Sequence, residues 1–374
     1  DLVTANPSGS DVSVLLGNGE GSLVQPAQFD TGYSPGVVIV ADVNEDRDLD
    51  LITAPSVGAA VISVLLGNGE GSFGPPTEFQ VGDFLPWSVV AADLDADGHL
   101  DLVTANGSGR DVSVLLGDGA GGFAPPTEFE AGDFPCSVLA ADLNEDGHLD
   151  IVTANIFSDD ISVLLGNGAG SLASPTEFEA GNYPISVIAS DLNEDGHLDL
   201  VTPNYFGNDV AVLLGSGTGS FRPPAHYGAG TGPYSADVAD LDEDGHLDLA
   251  IANYDGNDIS VLLGNGAGNF DSPVHFGSGY LPYAVIAADP NEDGHLDLIS
   301  ASYGANTVSV LLGDGMASFG WPAHFGTSSG PDSVLAADLD EDGHLDFVTA
   351  NYRGRNVSIL LNLFADGARR TKRR

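Results

Sequence analysis

The stretch Asp142-Leu143-Asn144-Glu145-Asp146-Gly147-His148-Leu149-Asp150 carries side-chain oxygens at its first, third, fifth and ninth positions and a glycine at its sixth. Calcium is a hard cation that takes about six to eight oxygen ligands in a pliable shell. Alternate carboxylates and a carboxamide on a tight loop can face one point. The glycine permits the sharp turn, and the seventh residue can add its backbone carbonyl. The spacing is that of an EF-hand loop cut short, with aspartate at nine in place of glutamate at twelve.

The loop occurs seven times, and its starts from Asp93 onward lie 49 residues apart. The predicted calcium ligands are Asp42, Asn44, Asp46 and Asp50 in the first copy, then Asp93, Asp95, Asp97 and Asp101. Asp142, Asn144, Asp146 and Asp150 follow, then Asp191, Asn193, Asp195 and Asp199. The last three sets are Asp240, Asp242, Asp244 and Asp248; Asp289, Asn291, Asp293 and Asp297; and Asp338, Asp340, Asp342 and Asp346. An ordinary turn needs only one or two such residues. The repetition therefore predicts six or seven bound Ca²⁺. Arg47 replaces the glycine of the first loop, where a left-handed backbone would cost about 1–2 kcal/mol, so that site should be weaker. Pro290, second in the sixth loop, removes one N–H donor but no ligand.

Between the loops run short segments rich in Val, Ile, Leu and Thr, each bounded by Gly, Asn, Asp or Pro. In one unit these are Ser137–Ala141, Ile151–Asn155, Ile161–Leu165 and Leu172–Phe178, here called strands A, B, C and D. No helical period is sustained. Four short antiparallel strands with a period in the forties predict an all-β propeller of four-stranded blades. A β-solenoid is the alternative. Seven loops favour seven blades, with an N-terminal D strand (Leu23–Phe29) completing the last blade and Leu2–Leu16 left surplus. Eight blades, two of them incomplete, is the other closure. The propeller should occupy residues 1–362 and a basic tail residues 363–374.

The formal net charge is −45, and the seven loops hold 31 of the 55 acidic residues, so the acidity is mostly ligand supply. The remaining charge argues against nucleic-acid binding. No apolar run approaches the roughly 18 residues of a membrane span. The single cysteine, Cys136, allows no internal disulfide. Calcium sites of ordinary affinity fill outside cells, where metal can take the stabilising part disulfides often play. These points predict a secreted or cell-surface protein. The chain opens mid-repeat, so it looks like a processed or trimmed product.

Three blocks agree along the chain: Ser-Val-x-Ala-Ala-Asp-Leu-Asn-Glu-Asp-Gly-His-Leu-Asp-Leu-Val-Thr-Ala-Asn, Val-Ser-Val-Leu-Leu-Gly-Asn-Gly, and Gly-Ser-Phe. Together they resemble the FG-GAP family, also called VCBS-type repeats, which includes the N-terminal propellers of integrin α-subunits. The resemblance implies a calcium-stabilised propeller used in adhesion, in protein or carbohydrate binding, or as a scaffold.

Strand direction sorts the connections onto two faces. The calcium loops and Gly-Asn-Gly turns share one; the B–C and D–A connections share the other. The second face varies between repeats and carries aromatics. Trp87, Tyr234 and Tyr283 follow the D–A proline; Tyr205, Tyr254, Tyr303 and Tyr352 sit in B–C loops. These seven are the candidate ligand-binding residues, since such rings suit sugar or protein contacts. Burial between blades is the bland alternative. The loop histidines should point outward, because their carbonyls face the metal. The leading expectation is a non-catalytic binding or adhesion propeller with a protein or carbohydrate partner. A filament component joined through surplus strands is the alternative. An enzyme is the least favoured class, because an active site normally breaks the symmetry of repeated carboxylates.

Overall fold

The computed structural model describes residues 1–7, 9–16, 26–339 and 342–362. Asp340, Leu23 and the 363–374 tail lie outside them. The fourth unit shows how a repeat folds. Pro135–Ala141, Asp150–Asn155, Asp160–Leu164 and Thr176–Glu179 pair antiparallel in that order. Strand D is shorter than expected: Leu172 makes only an isolated bridge to Gly166. Strand B is buried along its whole length and strand D is mostly exposed, so D forms the outer rim. A strand covered on both faces needs no polar–apolar alternation, which is why strand B reads Asp-Ile-Val-Thr-Ala-Asn.

The core lies between blades. Val152, Ala154, Ile161 and Val163 of the fourth pack with Val187, Leu200, Ala211 and Leu213 of the fifth. Each valine, leucine or isoleucine among them, removed from water, contributes about 1.5–3 kcal/mol. Strand A begins with a β-bulge between Pro135 and Ser137, and the same irregularity recurs at Pro35, Pro86, Pro233 and Pro282. A bulge re-aims the extra residue. Here that residue is the variable one after the proline: Gly36, Trp87, Cys136, Tyr234 or Tyr283.

Among the described residues there are eight sheets, not the favoured seven. Six of these have four described strands and two have three. The first blade is Leu2–Asn6, Asp11–Leu15 and Ala27–Asp30; the eighth is Leu335–Ala337, Asp346–Asn351 and Asn356–Leu360. The expected exchange between ends does not occur. Ala27–Asp30 pairs with Asp11–Leu15 of its own unit, in the register Asp11↔Asp30 and Val14↔Ala27. Leu2–Asn6 pairs with the same strand from the other side, so Leu2–Leu16 is not surplus. Closing a short local loop costs less entropy than recruiting a strand across the whole chain. Leu2–Asn6 approaches Asn356–Leu360 where the ring closes.

Candidate metal and ligand sites

Each aspartate loop is wound by its own side chains. The carboxylate at position 1 accepts the N–H of position 6, as in Gly147 to Asp142 at 2.9 Å. Position 3 accepts from position 5, Asp146 to Asn144 at 2.9 Å, and position 5 accepts from position 7, His148 to Asp146 at 2.9 Å. Position 9 ties the loop to the rest of the blade. Asp150 accepts from Leu143 N–H at 3.0 Å and from Gly166 N–H, in the C–D turn, at 2.8 Å. Asp150 is fully buried, and burial, with Asp146 and Asp142 adding repulsion, raises its pKa. The same cause pushes Asp248 and Asp297 up to about 6.

These loops fit a hard cation. The Oδ1 atoms of Asp42, Asp93, Asp240 and Asp289 are buried and accept no hydrogen bond. Carboxylate oxygens of Asp93, Asp95 and Asp101 lie within 4.8 Å of one another, as do those of Asp240, Asp242 and Asp244. Acceptors without donors, converging on one point, are the arrangement that Ca²⁺ ligation satisfies. The described ligand candidates of all seven loops occupy equivalent places, and Arg47 adopts the expected left-handed conformation at φ 77°.

The loop histidines do not simply point outward. Nδ1 of His99, His197, His246, His295 and His344 meets the glutamate at position 4 of the preceding blade's loop: Glu45, Glu145, Glu194, Glu243 and Glu292. The glutamate hydrogen bond raises the pKa of His99, His197, His246 and His295. The signal was in the sequence as a Glu and a His recurring three apart. Only the ring shows that they belong to different loops.

On the opposite face the aromatics form one run. Trp87 meets Phe134 edge-on with ring centres 5.0 Å apart, Phe134 meets Phe157 tilted at 4.8 Å, and Phe157 meets Tyr183 edge-on at 6.2 Å. Tyr183 continues to Tyr205 at 6.0 Å, and Tyr205 to Tyr234 and Tyr254 at 6.2 and 6.5 Å. Tyr234 meets Tyr283 at 4.1 Å, with their hydroxyls bonded, and Tyr283 meets Tyr303 at 5.7 Å. Arg353 lies 4.6 Å over the Tyr303 ring. Tyr352 joins Trp87, Tyr283 and Asp332 in lining a cavity of about 260 Å³ that also touches Pro7 and Gly36, so it draws on both ends of the ring. Trp87 and Tyr352 are exposed; Tyr234 and Tyr283 are half-buried.

Burial pushes Tyr205 up to about 12, helped by its 2.8 Å hydrogen bond to Asp255. It also raises Tyr234 and Tyr283. Asp332, which sequence reasoning passed over, is pushed up to about 6 by burial, and no described cation pairs with it. Its residue type breaks the repeat at the bulge position, which was the available signal. The Cys136 thiol is pushed up to about 12 by burial, as suits a packing residue. Asn106, the first residue of an Asn-Gly-Ser sequon, is fully buried and donates to Asp111, Ser113 and Val81, so its amide is committed inside the blade.

The FG-GAP-like repeat family matches in six units: residues 54–104, 93–153, 142–202, 203–251, 240–300 and 289–349. The chain belongs to that family. No curated protein matches this FG-GAP propeller. Solved structures that share its fold at low identity include a lectin, a biofilm matrix protein and a lyase. A lectin of Agrocybe aegerita that recognises non-reducing terminal N-acetylglucosamine is 21% identical, with TM-score 0.56, covering 91% of this chain and 95% of that one. A Vibrio cholerae biofilm matrix protein is 11% identical, with TM-score 0.59, covering 94% and 84%. A catalytically inactive virginiamycin B lyase of Staphylococcus aureus is 14% identical, with TM-score 0.55, covering 96% and 98%. The lyase corrects one expectation. An enzyme family uses the same ring, so neither the propeller nor the symmetry of its loops excludes catalysis.

Proposed function

We propose that this FG-GAP propeller is a calcium-stabilised extracellular or cell-surface binding protein, of the adhesion type, that takes a carbohydrate or protein ligand on the aromatic face. The observation that carries the reading is the unbroken run from Trp87 to Tyr303. Rings offer apolar faces to sugar C–H groups or to apolar side chains, and carboxylates such as Asp332 and Asp255 accept hydroxyl protons. The lectin and the biofilm matrix protein that share the fold support a binding role. The loops on the other face, with Ca²⁺ held by positions 1, 3, 5 and 9, would hold blade edges rather than ligand. Binding to an immobilised glycan panel and to extracellular matrix proteins tests this. Tyr254→Ala and Trp87→Ala should reduce capture at least tenfold with unchanged melting. Capture that both variants retain, or that Asp146→Ala alone abolishes, would overturn the assignment of the face.

A further inference from the structure

At the centre of the ring the A strands of neighbouring blades run side by side. Those of the sixth and seventh blades, Pro233–Ala239 and Pro282–Ala288, are tied by a side chain. Asp237 stands where the third, fourth and seventh blades have Val90, Leu139 and Ile286. Its Oδ2 accepts the N–H of Ala287 at 2.7 Å. Both strands open with the same bulge, and the re-aimed residue is a tyrosine in each, Tyr234 and Tyr283. In the third, fourth and fifth blades that place holds Trp87, Cys136 and Ile185. The two tyrosine rings lie 4.1 Å apart at 46°, and their hydroxyls are bonded to each other.

This pair differs from the rest of the run. The other tyrosine contacts there have ring centres 5.7 to 6.5 Å apart. A phenol that loses an electron and its proton becomes a radical shared between the oxygen and the ring carbons beside it. Two such radicals join through those carbons. Groups already held in contact react as though highly concentrated. Burial raises the pKa of both phenols, so each must release its proton along with its electron. Tyr254 and Tyr303 touch Tyr283, and Tyr205 touches Tyr234, so a radical made on any of these rings can be relayed to the pair.

We propose that Tyr234 and Tyr283 are an oxidative cross-linking site, where a carbon–carbon bond between the two rings staples the sixth blade to the seventh. The oxidant is a one-electron acceptor of the class that peroxidases make from hydrogen peroxide. It takes one electron from each phenol, and each phenol releases one proton. The bond forms between the ring carbons next to the hydroxyls. The hydrogens on those two carbons then move to the oxygens, so both phenols are restored and the product is two hydrogens short of the pair. The two electrons and two protons turn one hydrogen peroxide into two waters. The bond would join residues 49 positions apart and so restrict the unfolded chain, as a disulfide does. The proposal is independent of the ligand reading.

Brief exposure of the full chain in calcium to photogenerated tris(bipyridine)ruthenium(III), followed by digestion and mass spectrometry, tests it. The expected product is a monomer with the blue emission of dityrosine, in which the Tyr234 peptide is joined to the Tyr283 peptide at a loss of two hydrogens. Tyr234→Phe and Tyr283→Phe keep the rings and should each lower that yield at least tenfold. Tyr227→Phe, on the outer strand, should leave it unchanged. The joined chain should melt above the untreated parent, and treated Tyr283→Phe should not. A link confined to other tyrosines, one formed only between chains, or no dityrosine at all overturns the proposal. So does a joined chain that melts no higher than the parent.

Discussion

Asp297 Oδ2 lies buried without a hydrogen bond because the residue that should donate to it is Pro290. In the other six loops the N–H of position 2 makes this bond, as Leu241 does to Asp248 at 2.9 Å. An unsatisfied buried acceptor costs about 1–3 kcal/mol. Pro290→Leu, the residue most other copies use, should raise stability by about that amount in chemical denaturation. No change would mean that the oxygen is already satisfied in solution.

One interblade clasp is missing. His148 faces the third blade's loop, where Ala96 stands in place of glutamate, and its Nδ1 is buried without a partner. Ala96 already has φ 58°, close to the 57–60° of the glutamates that clasp elsewhere. Ala96→Glu should therefore raise the melting temperature slightly without rearranging the loop. The gain should vanish in the double variant with His148→Ala. Equal gains in both backgrounds would rule out the clasp.

Metal removal should be the largest perturbation. Dialysed protein should carry six or seven Ca²⁺, and excess chelator should lower the melting temperature substantially, because metal binds the folded loops and not the open chain. Arg47→Gly relieves a left-handed arginine and should stabilise the first site by about 1 kcal/mol. Two or fewer ions per chain, or a melt indifferent to chelator, would refute the calcium reading.

Asp332 gives a pH signature. Its folded pKa of about 6 lies above the ordinary 3.8, so the folded state holds the proton more tightly than the unfolded chain. Its cost to the fold is absent below about pH 4, develops as pH rises through about 6, and persists above. Asp332→Asn should thus stabilise by about 1–3 kcal/mol at pH 7.5 and by nothing at pH 4, at 1.36 kcal/mol per unit. If the carboxylate serves the ligand, the same variant should bind more weakly at pH 7.5, so stability and affinity move in opposite directions. Identical melts across this range would refute the burial argument.

The aspartate loops, the strands and the two faces were legible because each is local: a spacing, a run of five apolar residues, a turn. Blade number was not, because it depends on which partner Ala27–Asp30 chooses, and both choices satisfy the same pattern. The His–Glu clasps and the aromatic run were hidden for the same reason. Glu145 and His197 are 52 residues apart and meet only once adjacent blades are side by side. Asp332 was missed because attention to rings passed over the one bulge position that is charged.

Among the described residues, the two three-stranded blades meet without exchanging a strand. Among the described residues each sheet is continuous in sequence, so opening the ring there breaks side-chain packing but none of the described ladders of backbone hydrogen bonds. A circle fastened in this way is still, topologically, a row of beads. Adding or deleting one 49-residue unit would leave every sheet whole and ask only that the curvature adjust. Duplication of a unit is then a small step for this protein.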